Sequence, residues 1–134
     1  MNIRTNLIDL HDTMRTEKQI AGDQAEALAI RLIGQAGLQV LERNYRVRGG
    51  EIDCIALDGE TLVFVEVRYR KNSRFGGAAA SIDMRKQQRI IHAAQIYLMK
   101  HPRQANRPCR FDCILLDSLN DDQQEWIKDA FQLS

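Results

Sequence analysis

No stretch of this 134-residue chain stays apolar for the roughly 18 residues that an ordinary membrane span needs, so none is expected. The first twenty residues interrupt their apolar positions with Arg4, Asp9, Asp12, Arg15, Glu17 and Lys18, where a secretory signal keeps an uninterrupted apolar centre. A cytoplasmic location is therefore the expectation. Cysteine is scarce and odd in number: Cys54, Cys109 and Cys113. Nothing suggests disulfides, and His11, His92 and His101 are not spaced to complete a zinc site with the thiols. Cys54 and Cys113 lie in strand-like runs and read as small core residues. Excess charge is lacking too. A formal net charge of +1 argues against a surface coated with basic residues for non-specific nucleic-acid binding. Repeats and low-complexity segments are absent.

What is there suits a globular domain. At 134 residues, 44% hydrophobic and 28% charged, the chain reads as one domain over residues 1–134, with a core at about 17–131 and an N-terminal extension over 1–16. Ala21, Ala25, Leu28, Ala29, Leu32, Ile33 and Ala36 recur at three- and four-residue spacing, which predicts a helix over 17–36 closed by Gly37. A strand at about 40–47 follows, then two more strands, in an antiparallel meander. Gly76 and Gly77 mark residues 70–80 as a loop. Ile90, Ile91, Ala94, Tyr97 and Leu98 predict a second helix from near Ser81 to Lys100, ended by Pro102. The unbroken run Phe111 to Leu116 reads as a strand buried on both faces. The order is α-β-β-β-α-β, an α/β fold; the segment Trp126 to Phe131 is too short to assign.

Two acids stand inside β-like apolar runs: Asp53 in Gly50-Glu51-Ile52-Asp53 and Glu66 in Val63-Phe64-Val65-Glu66-Val67-Arg68. Acids are depleted in strands, so they need hydrogen bonds, cations or a metal as partners. Asp58-Gly59 is a strong two-residue hairpin signal, and that register sets Leu57 opposite Glu60, Asp53 opposite Phe64 and Glu51 opposite Glu66. Asp53 and Glu66 are then diagonal neighbours on one face, roughly 7 Å apart, close enough for one divalent cation. Arg68 points to the same face. A turn at Gly49-Gly50 would place Arg46 opposite Asp53, and the same residues then read as a cross-strand charge ladder, the commoner arrangement. Glu51 facing Glu66 favours a neutralising ion.

Charge is also gathered locally. Residues 68–89 hold seven basic side chains, Arg68, Arg70, Lys71, Arg74, Arg85, Lys86 and Arg89, against the single acid Asp83. Such a rim beside two carboxylates fits a phosphate backbone, and Arg46 extends it; the plainer reading is a solvated loop and helix face.

Gly22-Asp23-Gln24-Ala25-Glu26, Arg43-Asn44-Tyr45-Arg46, Gly50-Glu51-Ile52-Asp53, Phe64-Val65-Glu66-Val67-Arg68, Arg74-Phe75-Gly76, Lys86 and Arg110-Phe111-Asp112 closely resemble the YraN-like bacterial family over about residues 17–131. That family looks like a compact member of the PD-(D/E)XK nuclease superfamily, similar to Holliday-junction resolvases. The resemblance implies a restriction-endonuclease-like core, a central mixed sheet flanked by helices. It implies Asp53 and Glu66 as the two motif acids, Arg68 at the position of the motif lysine, and Glu26 as the helix acid of the resolvase branch.

The activity implied is Mg²⁺- or Mn²⁺-dependent hydrolysis of branched or structured DNA, with one or two ions held by Asp53, Glu66 and Glu26 and the chain acting as a homodimer. Arg46, Arg70, Lys71, Arg74, Arg85, Lys86 and Arg89 are the expected nucleic-acid contacts. The pattern departs at Arg68. Arginine stays protonated and grips phosphate in a planar fork, so it cannot relay a proton as a lysine can. Lys71 and Lys86 are the nearby lysines available to supply an ammonium. Two other functions stand beside the endonuclease: a branched-DNA-binding protein with weak or no cleavage, and a protein-interaction domain on an inactive nuclease fold.

Overall fold

The computed structural model describes residues 15–69, 82–117 and 124–132. Within them, α1 (Glu17–Gln35), β1 (Gln39–Val47), β2 (Gly50–Asp58), β3 (Thr61–Tyr69), α2 (Met84–Lys100), β4 (Cys109–Leu116) and β5 (Gln124–Phe131) follow in chain order. The five strands form one mixed sheet in the order β1-β2-β3-β4-β5, with β3 and β4 parallel and the other neighbours antiparallel. This is the expected α-β-β-β-α-β order with a fifth strand added. The unassigned segment around Trp126 is that strand, pairing along the edge of β4. The expected loop at 70–80 lies outside the described residues.

Local chemistry sets the helix ends. At Thr16, a capping box starts α1: the hydroxyl accepts from the Gln19 amide at 3.1 Å, and the Gln19 side chain accepts from the Thr16 amide at 2.9 Å. Gly37, at φ +91°, ends it in the left-handed conformation that glycine tolerates. Of the predicted stripe, Ala25, Leu28, Ala29 and Ile33 are buried, whereas Ala36 is exposed because it is already the C-cap. Helix α2 starts later than the sequence suggests, since the Asp83 carboxylate caps it by accepting from the Lys86 amide at 2.8 Å.

The helices cover opposite faces of the sheet, because alternate side chains of β3 point opposite ways. Val63 and Val65 pack with Cys54, Ala56, Ile114 and Leu116 beneath α1, whereas Leu62 and Phe64 pack with Ile52, Ile55 and Phe111 beneath α2. Strand β4 is buried from Phe111 to Leu116, as its unbroken apolar run predicts. Burial pushes the Cys54 thiol up to about 12, which keeps it a protonated core residue. Gly50 lets α2 approach β2 closely: a Cβ there would lie 2.3 Å from the Arg89 carbonyl oxygen.

Both hairpin registers differ from the expected ones by two residues. Asp58 pairs with Thr61, so the turn is Gly59-Glu60 and not Asp58-Gly59. Only Gly59, at φ +59°, takes a positive φ, which suits glycine at the first central position of a type II′ turn; type I′ needs both. Likewise Arg46 pairs with Glu51, not with Asp53, because the turn is Arg48-Gly49 with Gly49 at φ +84°. An even shift preserves the face each residue occupies but changes its partner. Glu51 therefore does not oppose Glu66, and Asp53 lies alongside Glu66 instead of diagonal to it.

Candidate active site

Asp53 sits where β2 departs from a regular strand. Ile52 and Ile55 both pack beneath α2 while Cys54 packs beneath α1, so strict alternation breaks at Asp53. The ladder to β3 runs from Asp58–Thr61 to Cys54–Val65. Beyond it the Asp53 side chain takes over, its Oδ2 accepting from the Val67 amide at 2.8 Å. One carboxylate oxygen is fixed by backbone. The residue can thereby meet Glu66 of β3 and Glu26 of α1 together.

Glu26 and Glu66 both stand close enough to Asp53 for its carboxylate to act on each of them. Glu66 is only 5% exposed. Burial, followed by its bond to Asp53 and the charge there, pushes its carboxyl up to about 9, against the pull of Lys86 and Arg68. Burial and the Asp53 charge also raise Glu26, an effect opposed by a hydrogen bond from the Asn44 amide side chain. Asn44 lies on β1 between Arg43, paired with Cys54, and Tyr45, paired with Ile52, which puts it opposite Asp53. Its φ of +51° is a left-handed conformation inside a strand, a strain that asparagine bears better than most residues.

Cations enclose the acids from the α2 side. Lys86 Nζ stands 2.8 Å from Glu51 Oε1 and 3.4 Å from Glu66 Oε2, and Arg89 Nη2 stands 3.8 Å from Glu51 Oε2. The Lys86 hydrogen bond holds Glu51 below the usual carboxylate range, in spite of burial. Burial would lower Lys86, but its bond to Glu51 and the charges of Glu66, Glu51 and Asp53 leave it raised. Arg68 is half-buried and lines a cavity of about 610 Å³ with Glu17, Lys18, Ala21, Gly22, Val67 and Tyr69, toward the start of α1.

The expected site residues are thus partly gathered. Asp53, Glu66, Glu26 and Lys86 meet; Arg46, Arg85 and Arg89 are exposed beside them on β1 and α2; Arg70, Lys71 and Arg74 lie outside the described residues. Two residues were not singled out in advance for the parts they play. Glu51 holds Lys86, and Asn44 lies near enough to Glu26 to favour its charged form. The signal for Glu51 was its sequence position two residues before Asp53, which the two-residue register error paired with the wrong partner. Nothing in the sequence marks Asn44 except its presence in a recognisable motif.

For a metal, the donor set is a pair. Among the described residues, no group of three His, Cys, Asp or Glu side chains is arranged to hold an ion. Asp53 and Glu66 fit Mg²⁺ nonetheless, since that ion is commonly held by one or two carboxylates together with water and substrate phosphate.

Asp112, quoted above within a motif, has a structural role. It is fully buried and accepts from Trp126 Nε1 at 3.0 Å, the Asp129 amide at 3.0 Å and Arg110 Nε at 3.0 Å. These bonds pin β5 across a register shift, where Asp129 takes φ +54°.

A model of the uncharacterised protein family UPF0102 matches residues 25–116, a span that contains Glu26, Asp53, Glu66, Lys86 and Asp112. The chain is 48% identical to a UPF0102 protein of Stutzerimonas stutzeri strain A1501 over 118 residues, 87% of this chain and 98% of that protein. It is 52% identical to one from Janthinobacterium sp. strain Marseille over 118 residues, 88% of this chain and 92% of that protein. A third, from Dechloromonas aromatica strain RCB, is 54% identical over 110 residues, 82% of this chain and 87% of that protein.

Proposed function

The chain belongs to the UPF0102 family, and we propose that it is a metal-dependent endonuclease of the PD-(D/E)XK type acting on branched or structured DNA. The observation that carries this reading is the approach of Asp53, Glu66 and Glu26, from three separate elements, with the Lys86 ammonium 3.4 Å from Glu66. A charge ladder on a solvated face would leave these groups hydrated. Here Glu66 is buried, and burying a carboxyl without a function is costly.

Asp53 and Glu66 would hold Mg²⁺ or Mn²⁺, with Glu26 behind Asp53, and the ion would supply an activated water and stabilise charge on the phosphodiester. The protein's own residues do the rest. The Val67 amide fixes Asp53. Asn44 favours the charged form of Glu26. Arg46, Arg85 and Arg89 present exposed positive charge to the DNA backbone, while Arg68 offers a planar fork for a phosphate. A homodimer belongs to the same proposal, since cutting two symmetric strands of a junction calls for two sites.

Purified protein with Mg²⁺ or Mn²⁺ should nick a branched DNA that Asp53→Ala leaves intact. Arg68 in place of lysine favours a second reading, a branched-DNA-binding protein that cleaves weakly or not at all. Binding without metal-dependent nicking would support that one. If neither DNA at low salt nor a divalent ion binds, both readings fall and a protein-interaction domain remains.

A further inference from the structure

Lys86 stands in an expensive place. It lies in the first turn of α2, where a positive charge opposes the helix dipole, and its side chain is only 21% exposed. Its amide is fixed by the Asp83 cap at 2.8 Å, which sets where the stem leaves the helix. The ammonium then meets Glu51 of β2 at 2.8 Å and Glu66 of β3 at 3.4 Å. Gly50 permits this reach, because only a residue without Cβ allows α2 so close to β2. Arg68, by contrast, lines the cavity beside the start of α1.

We propose that Lys86, and not Arg68, is the ammonium of this centre, with Glu51 as the positioning residue that holds it beside Glu66 for contact with a phosphodiester oxygen. The proposal rests on the nuclease reading above. It differs from a plain structural ion pair in what it predicts. A lysine needed only to tie α2 to β2 could be lost without changing how the bound substrate reacts. An ammonium that shares Glu66 competes with the metal and drops out of the transition state when removed.

Two measurements on the full chain decide it. The first is Mn²⁺ titration by calorimetry in the absence of DNA. Lys86→Met should bind Mn²⁺ about tenfold more tightly than wild type, since the competing cation has gone, whereas Arg68→Met should gain less. The second is nicking of a four-way DNA junction at saturating Mn²⁺. Lys86→Met should lose about 100-fold in kcat with KM little changed, Arg68→Met should chiefly raise KM, and Arg68→Lys should give no gain in kcat. Glu51→Gln should follow Lys86→Met in kcat to a smaller extent, and Lys86→Arg should recover part of the loss. If Lys86→Met does not fold, Lys86→Arg with kcat as low as an acid-deleted variant overturns the proposal, and partial activity supports it. Undiminished kcat or unchanged Mn²⁺ affinity in Lys86→Met overturns the Lys86 assignment alone. A wild-type protein that nicks no junction overturns the nuclease reading, and the substrate contact of Lys86 with it.

Discussion

Asp53 accepts a hydrogen bond from the Val67 amide at 2.8 Å, across the point where the β2–β3 ladder stops at Cys54–Val65. A side chain thus replaces the backbone acceptor of the next ladder position. Asp53→Asn keeps one acceptor oxygen and the volume, whereas Asp53→Ala leaves the amide without this partner. The alanine variant should therefore be the less stable by about 1–2 kcal/mol in urea unfolding. Both should fail to nick DNA under the proposed function. Stability separating the two variants while activity does not would show that the carboxylate charge serves the site and its geometry serves the fold.

Glu66 gives the metal-free protein a characteristic pH dependence. Its carboxyl titrates near 9 when folded and near the ordinary value of 4.5 when unfolded, so between these limits the folded state holds the extra proton. Stability from this group is then lost as pH rises from about 5 toward 9, because unfolding releases a proton. Glu66→Gln cannot release one. The variant should have a flatter profile and exceed wild type at pH 8 by about 1.4 kcal/mol or more, the equivalent of a tenfold change in proton affinity. Parallel urea midpoints for the two proteins from pH 5 to 9 would contradict this.

Gly50 links the fold to the site. Alanine there would put a Cβ 2.3 Å from the Arg89 carbonyl oxygen and 3.1 Å from the Ala93 amide nitrogen, and backbone atoms cannot swing away as a side chain could. Helix α2 must shift, at a cost of about 1–3 kcal/mol. Because Lys86 and Arg89 ride on that helix, the variant should also weaken their hold on Glu51. A thermal melt should show the lost stability, and a crystal structure of Gly50→Ala should show the Lys86–Glu51 contact lengthened.

The sequence made the elements legible and the partners less so. Helices and inner strands were readable because apolar spacing follows the side each residue must bury, as at Leu28 and Ile33 or from Phe111 to Leu116. The nearness of Asp53 and Glu66 was anticipated for a partly mistaken reason. Asp58-Gly59 and Gly59-Glu60 are both plausible turns in a string of letters, and a choice between type I′ and type II′ moves every pairing by two. The slip in face at Asp53 has no periodic signature at all. Strand β5 escaped assignment because Trp126 and Ile127 are only half-buried at a sheet edge and their neighbours are polar. Lys86 was legible only as one of two lysines, with Lys71, that could supply an ammonium, since its contact with Glu66 depends on where a helix lands.

Asp112 should matter to stability more than to chemistry. Its fully buried carboxylate joins the partly buried Arg110, the Trp126 indole and the Asp129 amide, and Arg110 continues to Asp58 at 2.9 Å. Asp112→Ala leaves the Trp126 indole and the Asp129 amide without that partner and Arg110 with Asp58 alone, which should cost about 1–3 kcal/mol. Hydrogen exchange at β5 amides should accelerate before that at β2 and β3. Uniform acceleration across the sheet would instead make Asp112 a global core residue.

Asn44 separates backbone strain from site geometry. Its φ of +51° favours asparagine or glycine, while its side chain lies near Glu26 and favours its charged form, so the two contributions respond to different substitutions. Asn44→Gly removes the amide but keeps the conformation accessible; Asn44→Ala removes the amide and adds a Cβ to a left-handed residue. Alanine should therefore be less stable than glycine by about 1 kcal/mol, from the strain alone. Both should weaken Mn²⁺ binding alike if Asn44 acts on the centre by favouring charged Glu26, because that loss is common to the two. Calorimetric titration beside urea unfolding measures each quantity on the same samples. Equal stabilities would remove strain from the account, and wild-type Mn²⁺ affinity in both variants would remove Glu26 from the centre.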